Sequence, residues 1–204
     1  MNDKLNQERW LSAGLQVLAE EGPEGLKIMP IAQQLGVTKG SFYWHYRNLE
    51  DYQSALLEEW EQRHTRQVIH HVEDKGGEAV DKLRNLVSIS FSADARLAQA
   101  IRRWAITNPQ AREAQARVDH DRLAYLVSLL RPLGWPQARA EFLARWLYGA
   151  LHSCRLWLRS QHVHDQVKLH GADRRPLQAE IPDQRAIQPA CQELGPGLRP
   201  PQRA

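Results

Sequence analysis

Apolar residues recur at steps of three and four through most of this chain, and no run alternates apolar with polar residues over the length of a strand. That spacing keeps one stripe of a helix dry but would put apolar side chains on both faces of a strand, so it predicts an all-α fold. The breaks fall where glycine and proline end helices. Leu11, Leu15 and Leu18, with Trp10, Ala13 and Val17 beside them, set a first helix over about 5–21 that stops at Gly22-Pro23. A short helix over 28–35 follows, with Pro30 in the first turn, where the amide is unpaired anyway, and Gly36 at its end. Thr38 is placed to cap a third helix reaching His45, its hydroxyl accepting from a first-turn amide. Asn48 is placed to cap a fourth, running to about Val72 before Gly76-Gly77, with Glu50 and Asp51 near its positive end. Further helices are expected over about 79–92, 96–107, 109–130 and 137–161, and breaks at Asn108-Pro109 and across Pro132 to Pro136. Six of the eleven prolines lie in the last forty residues, where no apolar period survives, so 162–204 is expected to be a disordered tail.

The stretch from Gly36 to Tyr46, GVTKGSFYWHY, concentrates four aromatic rings and a histidine on a short run. In an arbitrary helical protein such rings are core. Here two short helices joined by a tight turn at Gly36-Val37 have the spacing of a helix-turn-helix, with Ala32 small at the crossing and Ile31, Leu35, Val37 and Phe42 filling the space beneath. The second helix, at roughly 10 Å, is of a length that enters a B-DNA major groove about 12 Å wide.

These residues resemble the tetracycline-repressor-like (TetR) family of transcriptional regulators, whose DNA-binding domain carries a pattern close to IA..LGV..G.LY.HF ahead of a long helix. The pattern stands here as Ile31-Ala32, Leu35-Gly36-Val37, Gly40, Phe42-Tyr43 and His45-Tyr46. The resemblance implies a three-helix DNA-binding domain over 1–48 and a helical ligand-binding and dimerisation domain over 49–161. It implies that Thr38, Lys39, Gly40 and Ser41 begin the recognition helix, with Gly40 permitting close backbone approach. Tyr43 is expected to give its hydroxyl to a phosphate, Trp44 and His45 to lie at the groove, and Phe42 and Tyr46 to face the core. Leu49 stands where the family often has a phosphate-gripping lysine, with Arg47 nearby to substitute for it, and Lys27 stands where a capping Thr or Ser is common. The partners implied are a double-stranded DNA operator, a second copy of the chain in a homodimer, and a small-molecule effector of unidentified chemistry.

Outside that segment the reading is coarser. Trp60, His64, Phe91, Trp104, Tyr125 and Trp146 fall on the middle helices, where they are placed either to line a ligand pocket or to serve as ordinary core. Leu143, Leu147, Ala150, Cys154 and Trp157 recur at alternating steps of four and three, a packing seam that suits either a neighbouring helix or a second subunit. The resemblance, in which the last two helices form a four-helix dimer bundle, favours the second subunit.

Several function classes are disfavoured. The net charge is +3, but residues 1–50 carry five Lys/Arg against six Asp/Glu while 99–160 carry ten against four, so bulk charge makes no case for nucleic acid and placed residues must. No apolar run is long enough for a membrane span, which with the absence of a secretory signal leads us to expect a cytoplasmic protein. The two cysteines form no disulfide framework, no histidine pair has ligand spacing, and no nucleophile motif occurs, so no cofactor, metal or catalytic residue is expected. The expected function is a ligand-responsive regulator, a repressor, reading a palindromic operator as a homodimer, with a fourth helix that changes the separation of the two reading heads. The alternative is an all-helical enzyme or metal-binding protein using the aromatic and histidine residues of the middle helices.

Overall fold

A computed structural model of the chain describes residues 2–151, with side chains from residue 7 onward. Cys154, Trp157 and the tail at 162–204 lie outside the described residues. Within them the chain is all-helical: α1 (Asn2–Glu21), α2 (Ile28–Leu35), α3 (Lys39–His45), α4 (Leu49–Glu61), α5 (Gln67–Lys75), α6 (Ala79–Ser92), α7 (Arg96–Thr107), α8 (Pro109–Leu130) and α9, described over 137–151.

Local chemistry accounts for most of the boundaries. Gly22 takes a φ of 82°, a left-handed value that a side chain resists, and Pro23 follows in a single 3-10 turn, so α1 cannot continue. Gly36 ends α2 with a φ of 67°, and the Val37 amide returns to the Ala32 carbonyl at 2.9 Å. Asn48 caps α4 as expected, its side-chain oxygen accepting from the Asp51 amide at 2.8 Å, and Asp51 reciprocates by accepting from the Arg47 amide at 3.0 Å. Thr38 occupies the N-cap position of α3 but its hydroxyl makes no capping bond, contrary to the sequence expectation. Its backbone is extended and the residue lies exposed.

The expected uninterrupted fourth helix is instead a rod of three pieces. Between α4 and α5 the segment Gln62–Arg66 is a π-turn, with the Gln67 amide reaching back five residues to the Gln62 carbonyl. The wide turn adds a residue and shifts the register of the buried face, which periodicity in QRHTRQVIHH does not disclose.

Two apolar clusters hold the bundle. The larger joins α1, α2 and α3 to α4, α7 and α8 through Trp10, Leu18, Ile31, Phe42, Tyr52, Leu56, Trp60, Ile101, Trp104 and Val118. The smaller gathers Leu126, Leu130, Ala140 and Ala144 with part-buried residues of α6, α8 and α9. Packing is therefore continuous between the N-terminal three helices and those that follow, with α1 lying along α7.

A close approach fixes how α1 meets α4. The Tyr52 hydroxyl donates to the Trp10 carbonyl at 2.6 Å, and a Cβ on Gly14 would sit 2.1 Å from that hydroxyl. Only glycine leaves room for the phenol.

Candidate nucleic-acid interface

The aromatic run divides by helical phase. Phe42 and Tyr46, four residues apart, point inward and pack on Tyr52 at ring-centre distances of 5.4 and 4.8 Å, and Phe42 also meets Trp10 edge-on at 5.3 Å. Burial pushes the Tyr46 phenol up to about 12 and holds that of Tyr52 higher still, so both are neutral props of the head. On the opposite face Tyr43 is 51% exposed and Trp44 83% exposed. The same helix thus anchors itself with one pair of rings and presents another.

Most of the other candidates surround that outward face. Thr38, Lys39 and Gly40 are exposed at its start, and the Lys39 ammonium lies 5.8 Å from the centre of the Tyr43 ring. A Cβ on Gly40 would meet nothing nearer than the Thr38 hydroxyl at 3.5 Å, an ordinary contact, so the subunit's own packing does not require glycine there. Ser41 is half-buried and its hydroxyl lies 3.4 Å from the Trp10 indole nitrogen, which donates to it, so this residue is tied partly to the core and is less outward than the sequence suggests. His45 is half-buried with its ring against Tyr46. Lys27 is exposed at the start of α2 and makes no side-chain cap. Arg47 is exposed and pairs with Asp51 at 3.3 Å; its amide and guanidinium hold that carboxyl below the usual range. Any phosphate drawing on Arg47 competes with Asp51.

One supporting contact was not foreseen. Arg9 of α1 donates to the Leu35 carbonyl at 3.0 Å, closing the C-terminus of α2 beside the turn into α3. Nothing in its sequence neighbourhood signals this partner twenty-six residues away.

The pocket candidates separate. A largely apolar cavity of about 110 Å³ lies between the α4–α5 rod, α6, α7 and α8, and Trp60, His64 and Tyr125 line it together with Leu86, Arg122 and Tyr148. Phe91, Trp104 and Trp146 do not line it. Phe91 is exposed on α6, Trp104 is buried in the larger core against α1 and α8, and Trp146 is 62% exposed on α9. Arg122 and Tyr148 escaped the sequence reading because tertiary contacts alone bring their polar ends to this cavity.

Part of the expected seam on α9 packs within the subunit. Leu143 and Leu147 pack partly against α8 in the same subunit, and Ala150 is half-buried. The outward stripe is carried by Phe142, 66% exposed, and Trp146, four residues apart. This i, i+4 pair was legible, but the leucines beside it are equally periodic.

Among the described residues no group of three or more His, Cys, Asp or Glu is placed to hold a metal ion, and no helix is long and apolar enough to cross a membrane.

Comparison with known proteins agrees with this geometry. Residues 11–51 match the family model for bacterial regulatory proteins of the tetR family, a span holding the second half of α1, all of α2 and α3 and the cap and first turn of α4. The class D tetracycline repressor protein of Escherichia coli is 38% identical over 61 residues, which are 30% of this chain and 28% of that protein, so the chain matches less than a third of the repressor's length. The crystal structure of reduced E. coli NemR superposes with a TM-score of 0.68 at 18% identity, covering 77% of this chain and 89% of that one. FadR from Bacillus subtilis, crystallised in complex with stearoyl-CoA, superposes with a TM-score of 0.59 at 22% identity, covering 76% and 88%. At those identities the structural likenesses speak to fold alone. The matched signature lies on the helices that anchor Phe42 and expose Trp44, and the helices behind them share their fold with these solved structures: over residues 11–51 this chain carries a segment that matches the tetR family of bacterial regulatory proteins.

Proposed function

We propose that the protein is a ligand-responsive transcriptional repressor that binds a two-fold symmetric DNA operator as a homodimer. The observation that carries the reading is the outward pair on α3: an indole 83% exposed beside a half-exposed phenol, on a seven-residue helix whose other face is sealed. Leaving a large ring in water forgoes about 1.5–3 kcal/mol of burial, which an interface recovers. A helix of this length enters the major groove, and Lys27, Thr38, Lys39, Tyr43, Trp44, His45 and Arg47 are the side chains to contact phosphates and base edges. Residues 1–48 serve as the reading unit and 49–161 as the effector and dimer unit.

One such helix contacts too few bases to select a site, so two heads about 34–36 Å apart are needed. Phe142 and Trp146 on α9 supply an apolar stripe for the second copy. The cavity against the α4–α5 rod takes the effector, and its occupancy changes the separation of the heads, which α4 joins to the effector unit. The repressor assignment follows the related tetracycline repressors. The enzyme or metal-protein alternative draws no support from the comparisons.

Selection of bound fragments from genomic DNA by the purified protein tests the reading. A recovered motif with two-fold symmetry and half-sites one helical turn apart is the expected result, and absence of any enriched sequence would end it. Gly40→Ala supplies a finer check. Alanine in this helix should raise stability by about 0.5–1 kcal/mol, since no atom of the subunit obstructs the new methyl. Operator affinity should fall in the same variant, because the methyl stands between backbone and DNA. Thermal melts and a binding isotherm read the two opposite signs.

A further inference from the structure

The cavity beside α4–α5 contains a guanidinium that no carboxylate pairs among the described residues. Arg122 of α8 lines it among mostly apolar residues, with polar groups from His64, Thr65, Ser90, Asp94, Tyr125 and Tyr148, and among the described residues it forms no ion pair with a carboxylate. Its contacts are neutral: Nε donates to the Thr65 hydroxyl at 3.0 Å, one terminal nitrogen to the His64 carbonyl at 2.9 Å, and the other lies 3.5 Å from the Tyr148 hydroxyl. The guanidinium also lies 5.9 Å from the centre of the Trp60 ring. Neighbouring carboxylates are engaged elsewhere. Asp94, which also lines the cavity, accepts from Arg96 at 2.7 Å, and Asp119 accepts from Arg102, Gln115 and Tyr148. A guanidinium has five N–H donors, and these three contacts leave two of them for a ligand.

Resting on the effector reading proposed above, we infer that this cavity takes a small apolar monocarboxylate, about one ring in size, whose carboxylate is received by Arg122. The volume sets the size: a cavity of roughly 150 Å³ holds a benzene ring, and this one is about 110 Å³ and opens on one side. The charge sets the class. A half-buried cation with only neutral partners gains most from a carboxylate, which forms short charge-assisted bonds with a guanidinium in fork geometry. A neutral ligand leaves that charge uncompensated, and a cationic one opposes it.

The same guanidinium spans the device that would sense the ligand. The His64 carbonyl and Thr65 hydroxyl that it holds belong to the π-turn Gln62–Arg66, in the rod leading from the reading head. Glu61, the residue before that turn, is buried and paired to Arg117 of α8 with contacts of 2.5 and 3.0 Å. Two arginines of α8 therefore clamp the turn. An anion seated on the two remaining donors of Arg122 pulls on one clamp and leaves the other, so its binding biases the rod between its π-turned and regular forms.

Calorimetric titration of the full chain with benzoate and with its neutral counterpart benzamide tests the inference. Benzoate should bind at least about 10-fold tighter than benzamide to the parent protein, and Arg122→Met should weaken benzoate about 10- to 100-fold while leaving benzamide unchanged. Arg122→Lys should retain part of the preference, and Ala98→Phe, which fills the cavity, should abolish binding of both. Circular dichroism of each variant confirms that it folds. Equal binding of the two probes, or benzoate binding indifferent to Arg122→Met, would overturn the assigned ligand class while leaving the cavity as an effector site. No binding of either probe would remove the inference together with this cavity's effector role, whereas the operator reading, tested by DNA selection, stands apart.

Discussion

Trp44→Ala should weaken operator binding roughly 30-fold, about 2 kcal/mol, while the melting temperature stays where it was. The ring is 83% exposed and belongs to neither apolar cluster, so its removal takes little from the folded state. Exposed substitutions away from special features change stability by about 0.5 kcal/mol or less. Phe42, two residues earlier, supplies the contrast. Fully buried among Trp10, Tyr46 and Tyr52, its replacement by alanine should cost about 3–5 kcal/mol and remove DNA binding only by unfolding the head. Titration of a selected operator at fixed salt, beside a thermal melt, separates these outcomes. Parental affinity in Trp44→Ala would show that the outward face of α3 is not the reading surface.

Gly14→Ala should be the most damaging single methyl that this chain can accept in its N-terminal region. The new carbon would sit 2.1 Å from the Tyr52 hydroxyl and 2.8 Å from a methyl of Leu56, and both of those residues are fully buried. Overpacking of this kind costs about 1–3 kcal/mol, and the displaced phenol also forfeits its bond to the Trp10 carbonyl, worth about 1–3 kcal/mol when the acceptor is left unpaired. A loss of about 3 kcal/mol lowers the melting temperature by roughly 6–12 °C in a chain of this size. Tyr52→Phe removes the obstructing oxygen, so the double variant should recover part of the loss, and a double-mutant cycle measures the coupling. If the two substitutions were simply additive, the approach of α1 to α4 would not be governed by that hydroxyl.

Much of this architecture was legible before any coordinates because its causes are local. Helix ends at Gly22, Gly36 and Asn48 follow from left-handed backbone and from a side chain that caps three residues ahead, and these are properties of a few adjacent residues. The inward turn of Phe42 and Tyr46 and the outward turn of Tyr43 and Trp44 follow from helical phase together with the family pattern. The capping bond expected of Thr38 failed because side-chain torsion is free at an exposed N-cap, and spacing cannot specify it. The tie of Ser41 to the core was not legible because its partner, the Trp10 indole, is thirty-one residues distant.

Sequence alone determined that the chain is helical, where its early helices begin and end, and which face of α3 is dry, since each rests on periodicity or on chemistry within a turn. Tertiary structure alone decided that Trp104 serves the core and Trp146 the surface, that Leu143 and Leu147 turn toward α8, that a π-turn interrupts the rod, and that Arg122 meets it at the cavity. The physical reason is common to all four. Several faces of each later helix are apolar enough to be buried, so the choice among them is made by which neighbours pack best across long sequence separations, and a linear pattern carries no record of those neighbours.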